Sequence, residues 1–252
     1  MTSLLLLPPK AIAFADCWYW FVLAAVVCYF IGCFNFAVLI SHFKKSDIRD
    51  IGSGNPGSMN MTRTFGIKIG AINFFCDAIK GGLPALVAWL IFKDYVFEGT
   101  EIIVSDFARY FFGTFVIVGH VFPVIFKFKG GKGIASTMGL FLFALPCEQW
   151  WYFFIVAAIF CAVLGYIALT EWGSMGSLIG VSGLTIWQAC IFAVRYKAEL
   201  AALNPVVISI FMMFLAINLL TWLRHNTNIY KLVAGEEHHT SVIKRKNKTK
   251  RT

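Results

Sequence analysis

Three short stretches of this 252-residue chain concentrate the residue types that grip anions. The first, Asp50-Ile-Gly-Ser-Gly-Asn-Pro-Gly-Ser-Met-Asn-Met-Thr-Arg63, packs glycines, small hydroxyls, amides and one arginine into a single loop. Glycines leave backbone N–H groups open to a ligand and a guanidinium adds a forked donor, together the equipment for holding a phosphate. The second is Phe128-Lys-Gly-Gly-Lys-Gly-Ile-Ala-Ser136 and the third Arg224-His-Asn-Thr-Asn-Ile229. In Gly130-Gly-Lys-Gly133 the backbone can approach an anion closely, Lys132 adds charge, and the helix expected to follow turns its N-terminal amides toward the same spot. This is not a nucleotide-binding P-loop. That pattern needs glycine at 126 and Ser or Thr at 133, where the chain has Phe126 and Gly133.

Histidines fall beside these loops. His42, His120 and His225 each sit at the end of an apolar run, where an imidazole can titrate or cap a helix. His225 follows Arg224 and precedes Asn228 by about one turn, on the same face if the helix continues. Three anion-friendly loops in one chain imply one shared site.

The elements that position these loops are membrane helices. The chain is 59% hydrophobic and 14% charged, with a mean hydropathy of +0.73, too apolar for a water-soluble domain to cover its own surface. Apolar runs at 18–41, 69–92, 107–126, 134–146, 151–169, 178–194 and 206–223 give seven expected transmembrane helices, hence an all-α integral membrane protein. Most approach the roughly 20 residues that cross a hydrocarbon core of about 30 Å. The fourth run is shorter, so either its neighbours complete the span or the glycine loop dips below the surface.

Basic residues set the orientation. Lys44, Lys45, Arg49, Arg63 and Lys68 follow the first run, Lys127, Lys129 and Lys132 the third, and Arg224, Lys231 and the tail the seventh. These loops are expected in the cytoplasm, with the N-terminus outside and the C-terminus inside. The opposite loops carry Asp94, Glu98, Glu101, Asp106 and Glu148. The 170–176 loop is the exception, expected inside yet holding Glu171 and no base.

Several other classes are excluded or disfavoured. The N-terminal stretch lacks a basic n-region and is interrupted by Pro8, Pro9 and Lys10, so it does not read as a cleaved signal peptide. Seven scattered cysteines without a C-x-x-C pair give no disulfide framework and no metal site. The basic segment 238–252 reads as a disordered cytoplasmic tail that touches anionic lipid, with no nucleic acid as partner. Residues 1–237 then form one membrane domain.

Four motifs in order carry a family resemblance. Ser53-Gly-Asn-Pro-Gly-Ser-Met-Asn-Met-Thr-Arg63, His120-Val-Phe-Pro followed by Gly130-Gly-Lys-Gly133, Ala168-Leu-Thr with Ser174 and Ser177, and Arg224-His-x-x-Asn-Ile with Gly235-x-Glu237 closely resemble the bacterial acyl-phosphate:glycerol-3-phosphate acyltransferases, the PlsY family. Asp77-Ala-Ile-Lys-Gly81 fits the same pattern. The resemblance implies a seven-helix, monomeric enzyme of the bacterial cytoplasmic membrane, needing no cofactor. Such an enzyme moves a fatty acyl group from acyl phosphate to the 1-hydroxyl of glycerol 3-phosphate, giving lysophosphatidic acid and phosphate for phospholipid biosynthesis. It implies catalytic roles for Lys132, His225 and Asn228. Substrate contacts fall to Ser53, Gly54, Asn55, Asn60, Arg63, Gly130, Gly131, Gly133, Ser174 and Glu237. The chain departs from the family pattern at Ser58-Met59, Glu171, Asn226-Thr227 and Lys231.

Two other readings are open on sequence. His42-Phe-Lys-Lys-Ser-Asp47 has the H-x-x-x-x-D spacing of acyltransferases that use acyl-CoA or acyl carrier protein. A transporter or channel for a phosphorylated solute would also want basic loops, although few charges, chiefly Asp77, Lys80 and Arg109, lie within the apolar runs.

Overall fold

The structure is a computed structural model that describes residues 9–236, so Glu237 and the tail 238–252 lie outside the described residues. Its element order is β1 (Lys10–Ile12), α1 (Phe14–Cys33), α2 (Phe36–Phe43), α3 (Ser58–Phe65), α4 (Ile67–Phe92), β2 (Tyr95–Phe97), α5 (Val104–Val121), α6 (Ile134–Ala144), α7 (Tyr152–Thr170), α8 (Gly173–Arg195), α9 (Lys197–Ala201), α10 (Pro205–Arg224) and α11 (Asn226–Val233). Short 3-10 turns cover Ile48–Asp50 and Val124–Phe126. β1 and β2 form a small parallel pair, Lys10 opposite Tyr95, which ties the start of the chain to the loop after α4.

Six segments among the described residues are long and apolar enough to cross a membrane; α6, with 11 residues, is shorter. The first of the six is interrupted. Phe34 and Asn35 adopt extended backbone, ending α1 and starting α2, and the Asn35 side chain caps α2 by accepting from the Val38 N–H at 3.1 Å. The stretch 50–63, read as one loop, is loop only to Gly57; α3 takes over at Ser58 and presents Arg63 from a helix.

α5 is the central helix, buried along most of its length and packed by α1, α4, α6 and α10. Hydrophobic burial against lipid gains little, so close backbone contact carries the association. At the α4–α6 crossing a Cβ on Gly81 would lie 2.0 Å from the Ser136 carbonyl oxygen, and one on Gly139 1.9 Å from that of Ala78. Any larger residue would force these helices apart. Outward faces remain apolar, with Trp18, Phe75, Phe154, Ile186 and Leu219 among many exposed side chains suited to lipid.

The α4–α6 crossing also answers where the short helix starts. α6 enters beside Asp77–Gly81, ten residues beyond the start of α4 at Ile67, or ~15 Å along its axis. The glycine loop that precedes α6 is therefore sunk between its neighbours. At its far end α6 delivers Glu148, which joins Asp106, Arg109, Arg195 and Tyr196 in a buried ionic cluster. There the Arg195 guanidinium bridges Asp106 at 2.8 Å and Glu148 at 3.0 Å. Loops 94–103, 145–151 and 196–204 thus gather at one end of the bundle, and the three anion-friendly segments at the other.

Candidate active site

Gly131 is the meeting point of the first two loops. Its N–H donates to the His120 carbonyl at 3.2 Å, folding the loop back on the end of α5. A Cβ here would sit 2.3 Å from His120 Nε2 and 3.1 Å from the Pro56 carbonyl oxygen, so only glycine fits between the histidine and the first loop. Gly133 has φ +80°, a left-handed conformation that glycine adopts without strain, and serves as the N-cap of α6. Its turn aims the first amides of α6 back toward Lys132.

The third loop closes over the second. Arg224 Nη2 donates to the Gly130 carbonyl at 2.9 Å, and Lys132 Nζ donates to the Asn228 side-chain oxygen. The helix does not continue through this segment. His225, with φ −104° and ψ 2°, separates α10 from α11, so Asn228 projects from the first turn of a new helix. His225 is 2% exposed, and its Nδ1 lies 2.7 Å from the Thr221 carbonyl. A carbonyl can only accept, so Nδ1 carries the proton and Nε2 keeps a free lone pair in the neutral ring. Burial, then the nearby charges of Lys132 and Arg224, lower the His225 pKa to about 4, outweighing the Thr221 hydrogen bond that raises it. The ring is neutral at pH 7.

Loop one is organised by Asn60. Its side-chain oxygen accepts from the Ser53 N–H at 3.0 Å while its amide donates to the carbonyls of Ile48 at 3.1 Å and Ile51 at 2.9 Å. Buried to 1% exposure, Asn60 spends its polar atoms on the loop's shape. Gly54 takes φ +69°. Pro56 ties the loop down, since Asn35 Nδ2 donates to its carbonyl at 3.3 Å. Ser53 and Arg63 are exposed, Asn55 is half-buried, and Ser174 is buried in the first turn of α8, which packs on α6 and α10.

The structure therefore joins Pro56, Gly130, Gly131, Lys132, Arg224, His225 and Asn228 through direct contacts or a shared field. Arg224, Thr221 and Pro56 are site-building residues that the sequence reading left without a role. Arg224 opens the Arg-His-x-x-Asn-Ile motif, but its bond to a carbonyl 94 residues away has no sequence signal. The alternative motif fares differently. Asp47 spends its carboxylate on Arg49, at 2.9, 3.1 and 2.5 Å, and on the Arg49 N–H, so Arg49 rather than His42 is its principal partner. That contact also holds the Asp47 pKa below the usual carboxylate range. The intramembrane charges Asp77, Lys80 and Arg109 are all buried in ion pairs, which leaves them poor lining for a solute path.

Fold and site together define a polytopic membrane protein that gathers glycine-rich loops and basic side chains at one end of its bundle. Residues 22–235 match the family model described as glycerol-3-phosphate acyltransferase, and the chain belongs to that family. The glycerol-3-phosphate acyltransferase of Mycoplasma mobile is 36% identical, covering 91% of this chain and 95% of that protein. That of Pseudothermotoga lettingae is 35% identical over 89% of this chain and 96% of its own length. Among solved structures, the crystal structure of PlsY, an integral membrane glycerol 3-phosphate acyltransferase, in its glycerol 3-phosphate form superposes with a TM-score of 0.67 at 28% identity. It covers 87% of this chain and 94% of its own. The lysophosphatidic acid form of the same protein gives 0.66. The chain is accordingly an acyltransferase of the membrane.

Proposed function

We propose that this enzyme transfers a fatty acyl group from acyl phosphate to the 1-hydroxyl of glycerol 3-phosphate, yielding lysophosphatidic acid and inorganic phosphate. The observation that carries the reading is the Lys132–Asn228 contact over a neutral, buried His225, at the mouth of an amide-rich loop. Lys132 and the amides from Gly130 to Gly133 stabilise the charge that develops on the leaving phosphate. Acyl phosphate is already activated, so placing the glycerol hydroxyl against its carbonyl supplies much of the remaining acceleration. His225 Nε2 is the protein's acceptor for the hydroxyl proton, with a substrate phosphate oxygen as the competing one. Arg63 and Ser53 grip the second phosphate from loop one, and Ser174 completes the wall from α8.

In the same reading α6 counts as a seventh crossing, since it runs from the glycine loop to the opposite ionic cluster. Seven crossings and the basic loops put the N-terminus outside, and the site on the cytoplasmic face of the bacterial inner membrane. The working unit is a monomer. The deciding experiment gives the purified protein acyl phosphate, acyl-CoA or acyl carrier protein thioester as alternative donors with glycerol 3-phosphate. Acyl phosphate should support product formation and the other two should not. Preferential use of acyl-CoA, lost in both His42→Ala and Asp47→Ala, would transfer the assignment to the H-x-x-x-x-D motif.

A further inference from the structure

Lys80 lies in the middle of α4, 7% exposed, with three polar partners around its ammonium. Nζ is 2.6 Å from Asp77 Oδ1, 2.7 Å from the Phe34 carbonyl and 2.9 Å from His120 Nδ1. A charge so deep in a membrane protein is costly, and a paired one is often no more stabilising than apolar packing of the same size. What distinguishes this pair is its reach. Phe34 is the break between α1 and α2, and the next residue, Asn35, holds Pro56 of loop one. Asp77 Oδ2 accepts from Asn73 Nδ2 at 3.1 Å, and the same amide lies 3.0 Å from the Ser58 hydroxyl at the head of α3. His120 faces Gly131 with Nε2 and receives the Gly131 N–H on its carbonyl.

We propose that Lys80, held by Asp77, is the positioning residue of the anion site: it seats the His120 ring under Gly131 and locks both phosphate loops to one buried point. An ammonium only donates, so His120 Nδ1 accepts and the neutral ring carries its proton on Nε2, on the side of the glycine loop. Lys80 touches no substrate. It acts through His120 on the glycine amides and through the Phe34 carbonyl on loop one. The inference deepens the acyltransferase reading and rests on it for the kinetic readout, but the phosphate-binding readout stands without it.

The test uses full-length protein in detergent and four variants. Asp77→Asn and Lys80→Met each strand one buried charge or its partner, and both should lower Tm and activity. Combining them removes both charges, which should bring Tm back toward wild type while KM for glycerol 3-phosphate stays raised at least tenfold. A double variant with wild-type KM and kcat would reduce the pair to a structural contact and overturn the proposal. Lys80→Arg guards against a double variant that does not fold. It keeps the charge beside Asp77 but has a planar fork that does not reproduce the three-way seat. KM for glycerol 3-phosphate should rise at least fivefold with little change in Tm, and the inorganic phosphate concentration giving half-maximal thermal stabilisation should rise in parallel. Wild-type values on both measurements would overturn the proposal. Failure of wild-type protein to turn over acyl phosphate would sink the donor assignment instead, and the phosphate titration would still decide the role of Lys80.

Discussion

Lys132 and Asn228, 96 residues apart, are bonded side chain to side chain, the ammonium on the glycine loop donating to the amide oxygen on α11. The amide holds the lysine without neutralising it. A carboxylate would hold it more tightly and cancel the charge a phosphate needs. Asn228→Asp is therefore expected to leave Tm unchanged or raised while kcat/KM for glycerol 3-phosphate falls tenfold or more. Lys132→Ala loses a charge-assisted contact of about 2 kcal/mol, roughly 30-fold in kcat/KM. Steady-state kinetics with thermal denaturation checks both.

Arg63 is exposed on the second turn of α3. If it grips a phosphate through its fork, Arg63→Lys keeps the charge but loses the geometry, and it should remain impaired about tenfold in KM. Arg63→Ala should be worse. Lys68→Ala, an exposed change at the head of α4, serves as the control with near-normal kinetics. Equal kinetics for all three variants would remove Arg63 from the site.

His225 gives the site a pH signature with a defined sign. Its folded pKa, about 4, lies below its ordinary value of 6.5, so the unfolded chain binds the extra proton first as pH falls. The stability tied to the neutral ring is complete above pH 6.5 and drains away between 6.5 and 4, by up to about 3 kcal/mol. Lys132 and Arg224 face the ring and stay charged throughout this range. His225→Gln should flatten the fall of Tm over that window. An unchanged slope would show that the ring titrates normally.

Orientation is open to direct labelling. In a background without native cysteines, a cysteine at Ser53 should resist a membrane-impermeant thiol reagent in intact cells and react after permeabilisation. One at Thr100, at the other end of the bundle, should react without permeabilisation. Reaction of position 53 from outside would place the site on the wrong face for a cytoplasmic enzyme.

Much of this architecture was legible in the chain. Apolar runs located the long helices because lipid-facing and protein-facing sides are both apolar, and the span length is fixed by the bilayer. Glycine spacing and flanking bases marked the loops that converge. What sequence did not disclose were the break at Phe34–Asn35, the start of α3 at Ser58 and the new helix that starts after His225. Each coincides with a contact from a distant residue: Lys80 on the Phe34 carbonyl, Asn73 on the Ser58 hydroxyl and Lys132 on Asn228. The family resemblance assigns Asn60 a substrate contact; its hydrogen bonds to Ser53, Ile48 and Ile51, which carry no sequence signal, make it a brace of loop one as well.

Because α6 begins ten residues down α4 rather than at its head, the amides from Gly130 to Gly133 form a polar floor below the rim of the bundle. The two substrates of the proposed reaction differ in where they prefer to be. Glycerol 3-phosphate belongs to water, and a fatty acyl chain to the hydrocarbon layer. A sunken floor lets the small polar molecule descend to the acyl carbonyl, so the chain never has to be lifted out of the bilayer. In the proposed reaction the truncated helix would thereby do what a carrier protein does for soluble acyl transfer, bringing an insoluble chain and a soluble acceptor into one plane.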